Sequence, residues 1–259
     1  MISATGVRIG WADLPLRVRG AVERSLGSRV VAAVSQHGGF SPGTADRVVT
    51  ADGQRAFVKA VGCDLNEGSV ALHRIEARVA AALPSEAPAP RLLACHDDGE
   101  WIALVFEDVD GRHPRTPWSP DEVSAVFATL ADLAQVTTPC QALVHGDLRA
   151  DNLLLRADGT VAVVDWPHAC RGPAWLDRLL LCINFLLYGD VNVDPLVAHL
   201  ASDTGVSEEL LIDVLTGYTG YFLDAARRPP PSGLPTVRVF QQAQADALLP
   251  WVRQRLSVQ

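Results

Sequence analysis

Lysine is nearly missing from this chain of 259 residues: its 22 basic side chains are 21 arginines and Lys59. Long apolar runs are missing too. None approaches the roughly 20 residues needed to cross a bilayer, which excludes a membrane-spanning helix and speaks against a membrane partner. Cysteine is sparse: Cys63, Cys95, Cys140, Cys170 and Cys182 are odd in number, widely spaced and in no ligand pattern. That excludes a disulfide framework or a zinc module and leaves ordinary buried thiols. Positive charge is outweighed by 30 acidic residues, for a net charge of −8, so a nucleic-acid partner is not expected. The opening Met1–Gly6 lacks the basic and apolar regions of a signal peptide, and a cytoplasmic protein is expected.

What remains is an ordinary folding composition, 48% hydrophobic and 20% charged, long enough for one large domain or two modest ones. No repeat or low-complexity segment interrupts it. In a chain that uses arginine almost everywhere, a surviving lysine points to a place where a guanidinium cannot serve.

Local patterns give an order of elements. Residues 13–26 read as a helix, with Pro15 in its first turn and Gly27 at its end. Strands follow at 30–34, 45–50 and 55–61, the first pair joined by the glycine-rich turn 36–43 and the second by Ala51-Asp52-Gly53. A helix spans 69–83, then strands cover 91–96 and 101–106. Beyond the proline-rich stretch 114–120 comes a helix at 120–136. A short hairpin (152–156 and 160–164) follows, then helices at 175–188, 193–203, 207–226 and 235–256. The predicted arrangement is α+β: an N-terminal helical segment 1–27, a sheet lobe 28–107 and a helical lobe 108–259. A cleft between such lobes is the default place for a ligand.

The chemistry concentrates in His145-Gly146-Asp147-Leu148-Arg149-Ala150-Asp151-Asn152, followed by Asp165-Trp166. Phosphoryl transfer needs a group that orients and deprotonates an attacking hydroxyl, and oxygen donors for a divalent metal on the nucleotide phosphates. Asp147, Asn152 and Asp165 offer that set, with a hairpin between them as a rigid support.

These motifs resemble the catalytic segment of the protein-kinase-like superfamily, and most closely the aminoglycoside phosphotransferases, which carry Gly between the loop's His and Asp. The 18-residue step from Asp147 to Asp165 and the aromatic Trp166 without a following Gly also resemble the small-molecule kinases. The likeness extends from Trp11-x-Asp13-Leu14-Pro15 to Trp251-x-x-Gln254-Arg255, although 259 residues is short for the group.

The resemblance implies a bilobal kinase-like fold with ATP or GTP and Mg2+ in the cleft. Lys59 then falls on the third strand, where it would hold the phosphates, paired with Glu76 or, as a second choice, Glu67. Gly38, Gly39, Phe40 and Ser41 would form the phosphate-covering turn. Glu107 and Val109 would lie where the linker backbone meets the base. Asp147 would act on the acceptor hydroxyl, and Asn152 and Asp165 on the metal. Arg149 would steady transferring phosphate or pair with Asp147. His145 and Asp177 would support the catalytic loop.

The implied reaction moves the γ-phosphate to a hydroxyl of an aminoglycoside-like antibiotic, amino sugar or related metabolite. The alternative is a kinase-fold protein that binds nucleotide or antibiotic without turnover. A protein substrate is disfavoured, because no Ala-Pro-Glu segment follows Asp165. Residues 177–226 hold eight acids and one basic residue, Arg178, from which a positively charged acceptor is expected. Oligomeric state leaves no mark in the sequence.

Overall fold

The computed structural model of the protein describes residues 7–36, 38–135, 142–189 and 191–256. Met1–Gly6, His37, Cys140 and Asp190 therefore lie outside the described residues.

The first lobe is an antiparallel sheet of β1 (Val30–Ser35), β2 (Thr44–Thr50), β3 (Arg55–Gly62), β4 (Leu92–Asp97) and β5 (Trp101–Glu107), in the order β1-β2-β3-β5-β4. Helix α1 (Leu16–Leu26) covers one face and α2 (Cys63–Ala82) the other. The central strands obey the two-residue period of a pleat. Trp101, Ala103 and Val105 of β5, with Ala56, Val58 and Ala60 of β3, meet Val18, Val22 and Leu26 of α1. Ile102, Leu104 and Phe106 turn the other way, toward Val70 of α2. Val18 and Val58 are wholly buried, and each such side chain contributes about 1.5–3 kcal/mol. Gly27 ends α1 at φ 72°, its N–H on the Arg24 carbonyl. The opening helix is thus part of the sheet lobe's core and not an appendage to it.

The helix expected at 69–83 begins earlier. Its first turn, from Cys63, breaks at the extended Asn66 (φ −170°, ψ 111°), whose side chain accepts the Ser69 N–H at 2.7 Å. Asn66 is an N-cap for the main part of α2. Glu67 therefore sits in the first turn after the cap and is exposed. Nine residues is about two and a half turns, so Glu67 and Glu76 lie on opposite sides of the helix.

The second lobe holds α3 (Pro120–Gln135), β6 (Ala142–Val144), β7 (Leu153–Leu155), β8 (Val161–Val163), β9 (Cys170–Gly172), α4 (Leu176–Tyr188), α5 (Asp194–Thr204), α6 (Glu208–Ala226) and α7 (Val237–Leu256). Its core joins Leu130 and Leu133 of α3, Leu153 and Val163 of the hairpin, and Leu179, Leu181 and Phe185 of α4 to Leu211, Leu215 and Leu248 of the last two helices. The β6–β9 pair has no counterpart in the sequence reading, because three-residue strands carry no period to read. This is the bilobal, α+β protein-kinase-like architecture expected from the sequence. Among the described residues no helix is long and apolar enough to cross a membrane.

Candidate active site

The pleat of β3 sends Ala56, Val58 and Ala60 into the α1 face, so Phe57, Lys59 and Val61 point to the α2 side. Val70, His73 and Glu76 form the inward stripe of α2 and are all buried. The two periodicities bring Lys59 Nζ to 2.6 Å from Glu76 Oε2. The same ammonium lies 2.7 Å from Asp165 Oδ1. One cation is thus shared by two carboxylates. Burial works against the charge on Lys59, but Asp165 and Glu76 outweigh it and raise its pKa above the usual lysine value. For Asp165 burial is again opposed by Lys59, which holds the carboxyl well below the ordinary range. Glu76, buried and also facing Asp165, is pushed up to about 6. Asp165 has φ 68°, a left-handed backbone unusual for a residue with a side chain; such strain clusters at functional sites.

The loop between β6 and β7 is fixed from below. Asp177, in the first turn of α4, accepts the His145 N–H at 2.7 Å and the Gly146 N–H at 3.0 Å. Gly146 has φ 79°, and a Cβ there would stand 2.9 Å from the His168 carbonyl oxygen, so only glycine fits. His145 is fully buried; its Nε2 donates to the Val164 carbonyl at 3.0 Å and its ring meets Trp166 edge-on. It ties the loop to the end of β8, which carries Asp165. Asn152 donates to the Asp147 carbonyl at 2.7 Å, closing the loop on itself. Arg149 binds Asp151 at 3.0 Å and lies 3.6 Å from Asp147. Its guanidinium also sits over the rings of Phe40 and Phe240, 5.4 and 5.6 Å from their centres.

The glycine-rich turn is held by a segment that sequence patterns do not single out. Val7–Ile9 runs beside Gly43, with N–H to carbonyl bonds from Ile9 to Gly43 and from Gly43 to Val7. This carries Arg8 under the turn, where it donates to the Gly38 carbonyl. Burial lowers the Arg8 pKa, with Asp165 and Asp46 acting in the opposite sense. At the far end, Asp108 locks the linker by accepting from Arg47 and Arg55. Glu107 turns to Arg91.

Two adjoining cavities result. The narrower one is lined by Gly38, Gly39, Phe40, Ser41, Lys59, Glu76, Glu107, Val109, Asn152 and Asp165, all of which the sequence assigns to nucleotide or metal, and by Arg8. The wider one, of about 1000 Å³, receives Asp147 and Arg149 and shares Phe40, Ser41, Glu76 and Asp165 with the first. His145 and Asp177 line neither and lie beneath. Glu76 makes the ion pair with Lys59, and the exposed Glu67 does not take part. The acids of residues 177–226 are elsewhere. Asp177 holds the loop, Asp203 pairs with Arg178, Asp224 with Arg228 and Asp194 with Arg255, while Glu208, Glu209 and Asp213 face outward. None of the described ones lines the wider cavity. The expectation of a positively charged acceptor loses its basis there, because charge density along a sequence does not tell which helix face carries it.

A model of the phosphotransferase enzyme family matches residues 135–210, the stretch from the end of α3 through the loop, hairpin and α4 into α6. Among solved structures, the bifunctional kinase-methyltransferase WbdD is similar at 18% identity and a TM-score of 0.41. The likeness covers 56% of this chain and 33% of that one, so the chain spans about a third of that protein's length. A likeness of that depth carries no weight for activity.

Proposed function

From the kinship of residues 135–210 with the phosphotransferase enzyme family, we propose that this chain is a small-molecule kinase. It moves the γ-phosphate of ATP or GTP to a hydroxyl of a small acceptor. The observation that carries the reading is the Lys59–Glu76–Asp165 cluster facing Asp147 and Asn152 across the junction of the two cavities. Phosphoryl transfer asks mainly for positioning and charge neutralisation, and this arrangement supplies both.

Lys59 holds the nucleotide phosphates, kept charged and oriented by Glu76. Mg2+ fits the donors present, since Asn152 and Asp165 offer only oxygen and hard cations prefer it. Among the described residues no cluster of three or more His, Cys, Asp or Glu forms a cage of its own. That suits an ion held chiefly by phosphate, which neutralises the charge of the transferring group when bound. Asp147 accepts the proton of the acceptor hydroxyl. The acceptor oxygen forms a bond to the γ-phosphorus, the bond from that phosphorus to the β–γ bridging oxygen breaks, and the nucleoside diphosphate leaves. Arg149 borders the position of the transferring group, and His145 and Asp177 set the loop's height.

Two substitutions test the division of roles. Asp147→Asn should leave Mg-nucleotide affinity nearly unchanged while lowering turnover on the order of 10²–10⁴-fold. Asp165→Asn should weaken Mg-nucleotide binding itself. Equal binding defects in calorimetry would contradict the assignment. Binding without turnover, the alternative, would show as nucleotide affinity with no transfer to any hydroxyl compound.

A further inference from the structure

The wider cavity has a composition of its own. Its outer wall is made by one face of α6 (Val214, Gly217, Tyr218, Tyr221, Phe222) and one face of α7 (Val237, Phe240, Gln241, Gln244). Both sets follow the 3, 4, 7 spacing of a helix stripe; Phe222 and Phe240 are buried at their inner edge, and Tyr221 is exposed. A Cβ placed on Gly217 would meet nothing within 4 Å.

The charged groups that line the rest of the cavity are already committed. Glu76 and Asp165 share Lys59, and Arg149 is bound to Asp151 with Asp147 beside it. Asp147 is the single carboxylate left to face an acceptor, and the reaction uses it. An amine-rich compound entering here would give up water without gaining carboxylates, which costs several kcal/mol for each buried charge. Aromatic faces can hold a cation instead; Arg149 takes one side of Phe40 and of Phe240, which leaves Tyr218 and Tyr221 as the rings a cation could use.

One polar side chain stands out. Gln244 is 8% exposed and lines the cavity with Phe240 and Gln241 of the same helix face. Its amide can both donate and accept, which suits a hydroxyl or carbonyl and has no preference for charge.

We infer that the acceptor is an uncharged hydroxyl compound with a broad apolar or aromatic face. It lies against Tyr218, Tyr221, Phe222 and Phe240, with a polar group on Gln244 and its reacting hydroxyl at Asp147. The cavity of about 1000 Å³ is at the upper end for drug-sized ligands and has room for an acceptor larger than a single sugar. The inference rests on the phosphotransferase reading for the place of the hydroxyl, but its test does not need turnover.

The test is equilibrium binding to the full chain, read by calorimetry at two salt concentrations. Uncharged aryl disaccharides and hydroxylated polycyclic compounds are compared with aminoglycosides of similar size and with choline. Mg-ATP is titrated in parallel. At least one uncharged compound should bind with little salt dependence. Gln244→Leu should weaken it about fivefold, the loss of one hydrogen bond, with Mg-ATP affinity unchanged, and Phe240→Ala should weaken it about tenfold. Tighter, salt-sensitive binding of an aminoglycoside or of choline would overturn the inference, as would failure of every uncharged compound to bind at millimolar concentration. If uncharged compounds bind as expected but none is phosphorylated, the inference stands and the phosphotransferase reading fails.

Discussion

Replacing Asp177 with alanine isolates the support beneath the loop between β6 and β7. The carboxylate is 5% exposed, and its two oxygens take the N–H groups of His145 and Gly146 at 2.7 and 3.0 Å. Burial raises its pKa, with those same hydrogen bonds and His145 pulling the other way. A hydrogen bond to a charged group contributes about 1.5–3 kcal/mol, and orphaning a buried donor costs a similar amount. Some of this is recovered because the variant no longer desolvates a carboxylate, so the net loss should be about 3–5 kcal/mol. Asp177→Asn should rescue little, since its NH₂ would face the second N–H. Both also lose an acid from the first turn of α4, a further loss of about 0.3–1 kcal/mol. Urea unfolding followed by tryptophan fluorescence reads this as a lower midpoint at unchanged slope. A loss under about 1 kcal/mol for Asp177→Ala would refute the reasoning, because it would mean that water or a shifted loop satisfies both donors.

Removing Lys59 should cost more than a cleft lysine would suggest. Lys59→Ala leaves Glu76 and Asp165 facing each other without a cation, for a loss of about 3–5 kcal/mol. The gap to wild type should narrow from pH 7 to pH 5 as Glu76 takes up a proton, which thermal unfolding at the two pH values checks. As the only lysine, Lys59 should be the one side-chain amine labelled by an amine-reactive nucleotide analogue, and Mg-ATP should protect it; mass mapping of the label decides. His73 gives an acid-lability prediction. Burial, then the Lys59 charge, pushes its pKa down to about 3, against roughly 6.5 in the unfolded chain. Below pH 6.5 the unfolded state binds a proton that the folded state refuses, so stability complete above 6.5 is lost as pH falls toward 3, by about 1.4 kcal/mol per pH unit. His73→Gln should flatten that slope in urea titrations from pH 6.5 to 4, and parallel curves for the two proteins would count against it.

The fold was legible wherever a period was long enough to read. Ile102, Leu104 and Phe106 alternate with Trp101, Ala103 and Val105, and that alternation alone places β5 between two helices. The site was legible because its chemistry sits in one short loop and its echo at Asp165. Lys59, with Glu76 or Glu67 as its partner, followed from the resemblance, and the facing periods of a strand and a helix bring Lys59 to Glu76. Arg8 was not legible: it reaches the cleft through a crossing of Val7–Ile9 over Gly43, a long-range contact with no local signature. The acids after Asp177 misled for a related reason. On α6 the helical period sends Leu211, Leu215 and Phe222 inward and Glu208, Glu209 and Asp213 outward, and a charge count averages over those directions. The start of α2 was hidden because Asn66 interrupts the period while its side chain caps the longer part of that helix.

Phe40, Arg149 and Phe240 come from three distant parts of the chain and meet in one stack. Phe40 belongs to the turn over the narrower cavity, Phe240 to the wall of the wider one, and Arg149 to the loop between them. The two cavities therefore meet at this stack. Any compound that favours one placement of Phe240 biases Phe40 through the edge contact of their rings at 5.2 Å, and so biases the turn over the narrower cavity. Thermodynamic reciprocity then requires that whatever factor the first ligand imposes on the affinity of the second be returned unchanged.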